Sequence, residues 1–313
     1  MREGAPEVRE RAPEVRERAP EMTGATSQHR LGIALVIAAA IAWSTAPFFT
    51  RLLPYDSWTI LFWRGLFGGG LIVAMMGLLQ GRAGLQELTR MGKSGWLVAS
   101  YSTAAMLAFI PALQLTSVSN VAIIIATGPF LAAALAWIWL REIPHLRTML
   151  ASVVALCGVA IILGNVRVSS DILGIALAIF MALAIAAMTV MVRRHKDTSM
   201  VAAAAISNIL GSVVSIPFAH GLISVTGFDL FILAMFGFFQ VAIGLSLFFI
   251  GSRFLPSSQA ALISTLETPL MPFWVWLAFA EVPALRVFIG GALVMGAVIA
   301  DIIGDNREQK RSG

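Results

Sequence analysis

Two ionisable side chains stand in stretches that are otherwise apolar. Glu267, in ISTLETPLMPFW, is the only charge between Pro256 and Ala280, and Pro269 and Pro272 follow it closely. Arg64, in ILFWRGLF, interrupts a second apolar run. If these runs cross a bilayer, each charge costs ~3 kcal/mol or more unless a partner, water or a ligand offsets it. One guanidinium and one carboxylate at similar depth suffice to hold a zwitterion, the arginine meeting a carboxylate and the glutamate an ammonium. Two other readings stay open, a structural Arg–Glu pair and an arginine snorkelling outward along its stem.

The neighbours of these charges fit small amphipathic ligands. Helical spacing puts Ala260, Ser264, Met271 and Trp274 on the face of Glu267. Trp43 shares a face with Pro47, and Thr59, Trp63 and Phe67 share another. Aromatic faces beside a carboxylate and a guanidinium suit amino acids through apolar contact and cation–π attraction. The substrate-binding candidates are therefore Glu267, Arg64, Trp43, Trp63 and Trp274, joined by the polar Tyr101, Asn120 and Gln240, with Asn208 a further polar group at depth. For each tryptophan an interfacial anchor is the alternative, and for each polar residue an interhelical hydrogen bond. Pro47, Pro129 and Pro269 are candidate helix breaks. Each removes an amide donor and frees a carbonyl one turn earlier, which either lines a cavity or simply accompanies a kink.

Other chemistries lack their residues. There is no His-Glu-x-x-His, no aspartate-rich pair, no Ser/His couple at helix depth and no phosphate-cradling glycine loop. The expectation is no enzyme, no cofactor and no metal. The single cysteine, Cys157, lies in an apolar run and reads as a small core residue.

What must position these residues is a membrane bundle. Of 313 residues, 58% are hydrophobic and only 12% charged, where a soluble chain carries about 25% charged residues. Ten apolar runs of spanning length read as helices: 31–50, 57–79, 95–115, 118–140, 147–165, 171–192, 199–221, 230–252, 257–280 and 285–304. The fold class expected is an all-α integral membrane protein. Ahead of the spans, APEVRER occurs twice and begins a third time, and the arm 1–30 is expected to be disordered, with no cleaved signal. With both termini placed inside, eighteen of the 22 Lys and Arg residues fall on that side and only Arg51, Arg167 and Arg286 on the other. The positive-inside rule then puts both termini in the cytoplasm of a cell (inner) membrane. The net charge of +5 is spread over these loops, so anionic lipid explains it and nucleic acid does not.

The chain also repeats. SNVAIIIATGPFLAAALAWIWLREIPHLR, 119–147, resembles SQAALISTLETPLMPFWVWLAFAEVPALR, 258–286, with EIPHLR over EVPALR and a slip of one residue between TGP and ETP. Two copies of five helices must run in opposite senses, which predicts inverted repeats over 31–165 and 171–304, followed by a cytoplasmic tail, 305–313. Inverted repeats of this kind are built into secondary transporters, with the substrate site near the midplane.

ALQLTSVSNVAIIIATGPFLAAALAWIWLREIP and LPSSQAALISTLETPLMPFWVWLAFAEVP resemble the repeat signature of the EamA family in the drug/metabolite transporter superfamily. AWSTAPFF and the FWR at 62–64 resemble that family's first two spans. The resemblance implies ten helices in two inverted repeats around a central cavity lined by the first four helices of each. It also implies export of small metabolites, and within the family the chain looks most like amino-acid exporters of the YddG type. Thr268 separates Glu267 from Pro269, where many members have the two adjacent. The partners expected are a small-molecule substrate and the lipid bilayer, with the chain a monomer. Purines, cationic sulfur compounds, a channel and an intramembrane enzyme are the alternatives, and proton exchange and facilitated diffusion are both open.

Overall fold

The structure, a computed structural model, describes residues 18–116, 118–163, 172–195, 199–280 and 282–312, without the side chains of 18–26, 110, 113–114, 118–120, 122 and 306–312. All regular structure among them is helical. The first half comprises α1 (Arg18–Ser44), α2 (Ala46–Leu52), α3 (Ser57–Arg90), α4 (Gly92–Leu115), α5 (Val118–Ala126), α6 (Gly128–Leu140) and α7 (Leu146–Leu163). The second comprises α8 (Ile172–Arg194), α9 (Met200–Ser215), α10 (Gly227–Gly237), α11 (Ser246–Gly251), α12 (Ser257–Ser264), α13 (Glu267–Phe279) and α14 (Leu285–Ser312). A π-helical stretch, Phe238–Leu245, joins α10 to α11.

Eight helical segments among the described residues, from Ser27–Leu52 to Leu285–Asp305, are long and apolar enough to cross a membrane, and Gly128–Leu140 is a shorter apolar helix. Their outer faces carry exposed apolar residues such as Leu78, Phe231 and Leu277, a surface suited to lipid and too apolar for water. The protein is an all-helical, multi-pass membrane protein.

One boundary differs from the sequence reading. Residues 18–30, expected in the disordered arm, begin α1, while the first two APEVRER copies largely lie outside the described residues. His29 explains part of the extension, because its Nε2 contacts the Asp305 carboxylate of α14 at 2.5 Å and holds this end of α1 against the last helix.

The strongest packings all join a helix of one half to a helix of the other: α4 with α8, α7 with α14 and α3 with α9, then α4 with α9, α6 with α8, α3 with α10, α6 with α12, and α1 with α11 and the π stretch. The two halves therefore interdigitate around one interior. Small residues permit the closest approaches. A Cβ on Gly65 would stand 2.9 Å from the Asn208 carbonyl, and one on Gly158 would stand 2.7 Å from the Gly290 carbonyl, so α3 meets α9 and α7 meets α14 nearly backbone to backbone.

Polar residues tie both ends of the bundle. Asp301, fully buried, accepts hydrogen bonds from Thr148 Oγ1 at 2.8 Å, Gln259 Nε2 at 3.1 Å and Arg147 Nε at 3.2 Å. This joins α7, α12 and α14. At the same end Arg193 donates to the Arg253 carbonyl at 2.8 Å and to Glu142 at 3.3 Å. At the other end Asp56 caps α3, accepting the amides of Trp58 and Thr59 at 3.0 Å.

Candidate functional site

The helices that approach the interior are broken, and threonine marks three of the breaks. Thr45 separates α1 from α2, Thr127 separates α5 from α6, and Thr265 with Leu266 separates α12 from α13. In each case the threonine hydroxyl donates to the carbonyl three residues earlier, Ala42, Ile124 or Leu262, at 2.6 Å. The same carbonyls also accept the threonine's own amide, at 3.3, 3.1 and 3.1 Å. The hydroxyl is thus a second donor to each and closes the turn within the membrane, where water is scarce. Sequence reasoning singled out the prolines and passed over these threonines, although Thr-x-Pro at 45–47 and 127–129 was a visible signal.

The prolines sit just beyond the breaks. Pro47 and Pro129 are the second residues of α2 and α6, and Pro269 is the third residue of α13. First-turn amides have no intrahelical acceptor, so proline costs little at the start of a helix. This also corrects the slip inferred between the repeats. α6 and α13 have 13 residues each, Gly128–Leu140 and Glu267–Phe279. Both end on a left-handed residue, Arg141 (φ 55°) and Ala280 (φ 56°), the two non-glycine residues of positive φ among those described. The half-helices therefore correspond at constant spacing, Gly128 with Glu267. In the second repeat the break-marking threonine stands one residue earlier and the proline one residue later, within the turn that tolerates it.

Glu267 is thus the first residue of a half-helix. A negative charge there is favoured by the helix dipole by about 0.3–1 kcal/mol, which offsets part of its cost at depth.

The broken helices surround a cavity of about 620 Å³. Trp43, Arg64, Met106, Phe109, Gly128, Met188, Thr189, Asn208, Gln240, Phe248, Ser264, Glu267 and Met271 contribute to its wall. Arg64 and Glu267 are the charged residues of that wall among the described residues. They are not paired with each other. Arg64 Nη1 donates to Gln240 Oε1 at 2.8 Å, its guanidinium carbon lies 5.4 Å from the centre of the Phe236 ring, and its Nε is buried without a hydrogen-bond partner. The Glu267 carboxylate has no hydrogen bond or ion pair among the described residues.

Gln240 is positioned by the π stretch and is already committed. Its Oε1 accepts from Arg64, its Nε2 donates to the Trp43 carbonyl at 2.8 Å, and its own carbonyl accepts from Trp43 Nε1 at 3.1 Å. One amide thus joins α1, α3 and the π segment and aims the guanidinium. A π-helical stretch leaves backbone groups out of register, and such stretches concentrate at functional sites.

The remaining sequence candidates are dispersed. Trp63 stacks on Phe67 with ring centres 5.5 Å apart, within a separate cluster around Phe49 and Phe236. Tyr101 packs against the main core. Trp274 donates its Nε1 to Ser44 Oγ at 2.8 Å and braces α13 against α1. None of the three lines the cavity. The Asn120 side chain lies outside the described residues. Of the other residues placed on the Glu267 face, Ser264 and Met271 line the cavity, whereas Ala260, before the break, is fully buried.

The EamA-like transporter family profile matches residues 30–164 and again residues 171–300. The chain belongs to the EamA-like transporter family. The two matches divide the chain where the sequence repeat does, and small-molecule transport is the function the family suggests. No curated protein matches the chain. A solved structure described only as the crystal structure of a protein is similar, with a TM-score of 0.75 and 17% identity, over 88% of this chain and 98% of that one. At that identity the likeness speaks for the fold alone.

Proposed function

We propose that this protein is a secondary transporter that exports small zwitterionic metabolites, neutral and aromatic amino acids foremost, by alternating access. The observation that carries this reading is the two opposite charges, not paired with each other, on a wall that is otherwise uncharged among the described residues. An α-amino acid presents a carboxylate to Arg64, whose planar guanidinium suits it, and an ammonium to Glu267. Its side chain then meets apolar residues such as Met106, Phe109 and Phe248. The cavity volume of about 620 Å³ lies within the ~300–1,000 Å³ range of small-molecule sites.

Ten spans in two inverted five-helix repeats complete the proposal. Two family matches, the equal half-helices α6 and α13, and packings that are preserved when the halves are exchanged all support it. Both termini are then cytoplasmic. Single cysteines at Lys93 and Ile223, in a Cys157→Ser background, test the orientation. Exterior maleimide in intact cells labels position 223 and spares 93, and the reverse pattern overturns the proposed sidedness.

The substrate test is counterflow of labelled L-phenylalanine in proteoliposomes against a panel of unlabelled solutes. Saturable counterflow with competition by neutral and aromatic amino acids is expected. Competition by nucleobases or sugars, with none by amino acids, contradicts the substrate assignment.

A further inference from the structure

One wall of the cavity is adjustable. Met106 of α4 lines the cavity, and Gly211 of α9 stands behind it, buried and off the lining. A Cβ built on Gly211 would overlap the Met106 methyl and lie 3.4 Å from its sulfur. The absent side chain of Gly211 is therefore a notch, and the end of the thioether occupies it. The notch cannot open simply by α4 moving away from α9. Thr103 Oγ1, one turn before Met106, donates to the carbonyl of Ser207, one turn before Gly211, at 3.0 Å and pins the helices. Methionine, unbranched and with three rotatable bonds, can leave such a notch at little cost, and the free space beside it is the cavity.

We propose that Met106 and Gly211 form a specificity-determining pair that sets the largest apolar side chain the transporter accepts, a role that rests on the cavity being the substrate site. With the thioether seated in the notch, the cavity has room for a bulky group such as an indole. With the thioether turned out, the same space admits only smaller substrates. Gly211 has this effect without contacting substrate, and what it controls is where Met106 rests.

Transport of L-alanine and L-tryptophan by purified protein in proteoliposomes tests the pair. Gly211→Ala evicts the thioether into the cavity, so the tryptophan-to-alanine ratio falls about tenfold, the scale of one misfitted methylene group in a pocket. Alanine transport stays within about twofold, which shows that the variant folds. Adding Met106→Ala to Gly211→Ala removes the evicted group and restores the ratio. Met106→Ile, whose branched stem cannot reach the notch, lowers the ratio independently of any change at Gly211. A wild type that moves neither amino acid overturns the substrate assignment and the pair with it. Normal wild-type transport overturns the pair alone if Gly211→Ala and Met106→Ile leave the ratio unchanged, or if the double variant does not restore it.

Discussion

Arg64 and Glu267 face one cavity from opposite halves of the sequence and remain separate, the guanidinium bonded to Gln240 Oε1 at 2.8 Å and the carboxylate without a polar partner among the described residues. Had they formed an ion pair, each would satisfy the other and a ligand would have to break that contact. Apart, they leave two complementary positions whose desolvation a zwitterion offsets better than either residue could alone.

Gln240 keeps the arginine in that posture. Gln240→Ala removes the tie between α1, α3 and the π segment. It is expected to raise the KM for carboxylate-bearing substrates roughly tenfold, the order expected for loss of one hydrogen bond to a charged group, ~1.5–3 kcal/mol. Initial-rate transport against substrate concentration reads this directly. A lower melting temperature with unchanged KM would mean that the amide serves only packing.

The cap of α3 gives a pH signature outside the membrane. Burial raises the Asp56 pKa, but hydrogen bonds from the Thr59 hydroxyl and from the amides of Thr59, His220 and Trp58 outweigh it, leaving the pKa below the usual carboxylate value. A depressed pKa stabilises the fold above the unfolded value and loses that contribution as the pH falls through the folded one. Asp56→Ala should therefore cost about 1 kcal/mol near neutrality. Melting curves of the two proteins should converge as the pH drops below about 3.9, and a gap that persists in acid would contradict the assignment.

Asp301 makes the opposite kind of prediction. Its carboxylate is fully buried and Arg147 is its cation. Arg147→Met should destabilise the protein by about 3–5 kcal/mol because it leaves a buried charge uncompensated. Asp301→Asn in the same chain should recover part of that loss. Thermal melts in detergent decide it, and a single variant within about 1 kcal/mol of wild type would show that the pair contributes little.

The charges that matter most were legible in the sequence because an ionisable group in an apolar run is costly enough to demand a reason. Arg64 and Glu267 announced themselves this way, and the Glu-x-Pro-x-Leu-Arg echo at 142–147 and 281–286 pointed to the division that the family matches follow. Trp63, Tyr101 and Trp274 could not be placed in the same manner. The break at Thr265 separates Ala260 from Glu267, but these three aromatics lie on α3, α4 and α13 with no break between them and their helical neighbours. Spacing says which residues share a face and not what that face meets, which is Phe67 for Trp63, the main core for Tyr101 and Ser44 for Trp274. Nor could spacing reveal that the Gln240 amide is occupied, since its partners lie 176 and 197 residues away in sequence. The seating of Met106 against Gly211 is a long-range contact of the same kind.

Glu267→Gln tests the central claim most directly, because it keeps the shape of the side chain and removes its charge. Transport per folded molecule, measured between about pH 5 and pH 8 with amino acids and with matched analogues lacking the ammonium group, is the measurement. A carboxylate that receives the substrate ammonium predicts normal expression and melting, amino-acid transport reduced at least about tenfold, and much smaller losses for the analogues. Amino-acid transport equal to that of the parent across the whole pH range would contradict it, leaving Glu267 neither a ligand nor a proton carrier.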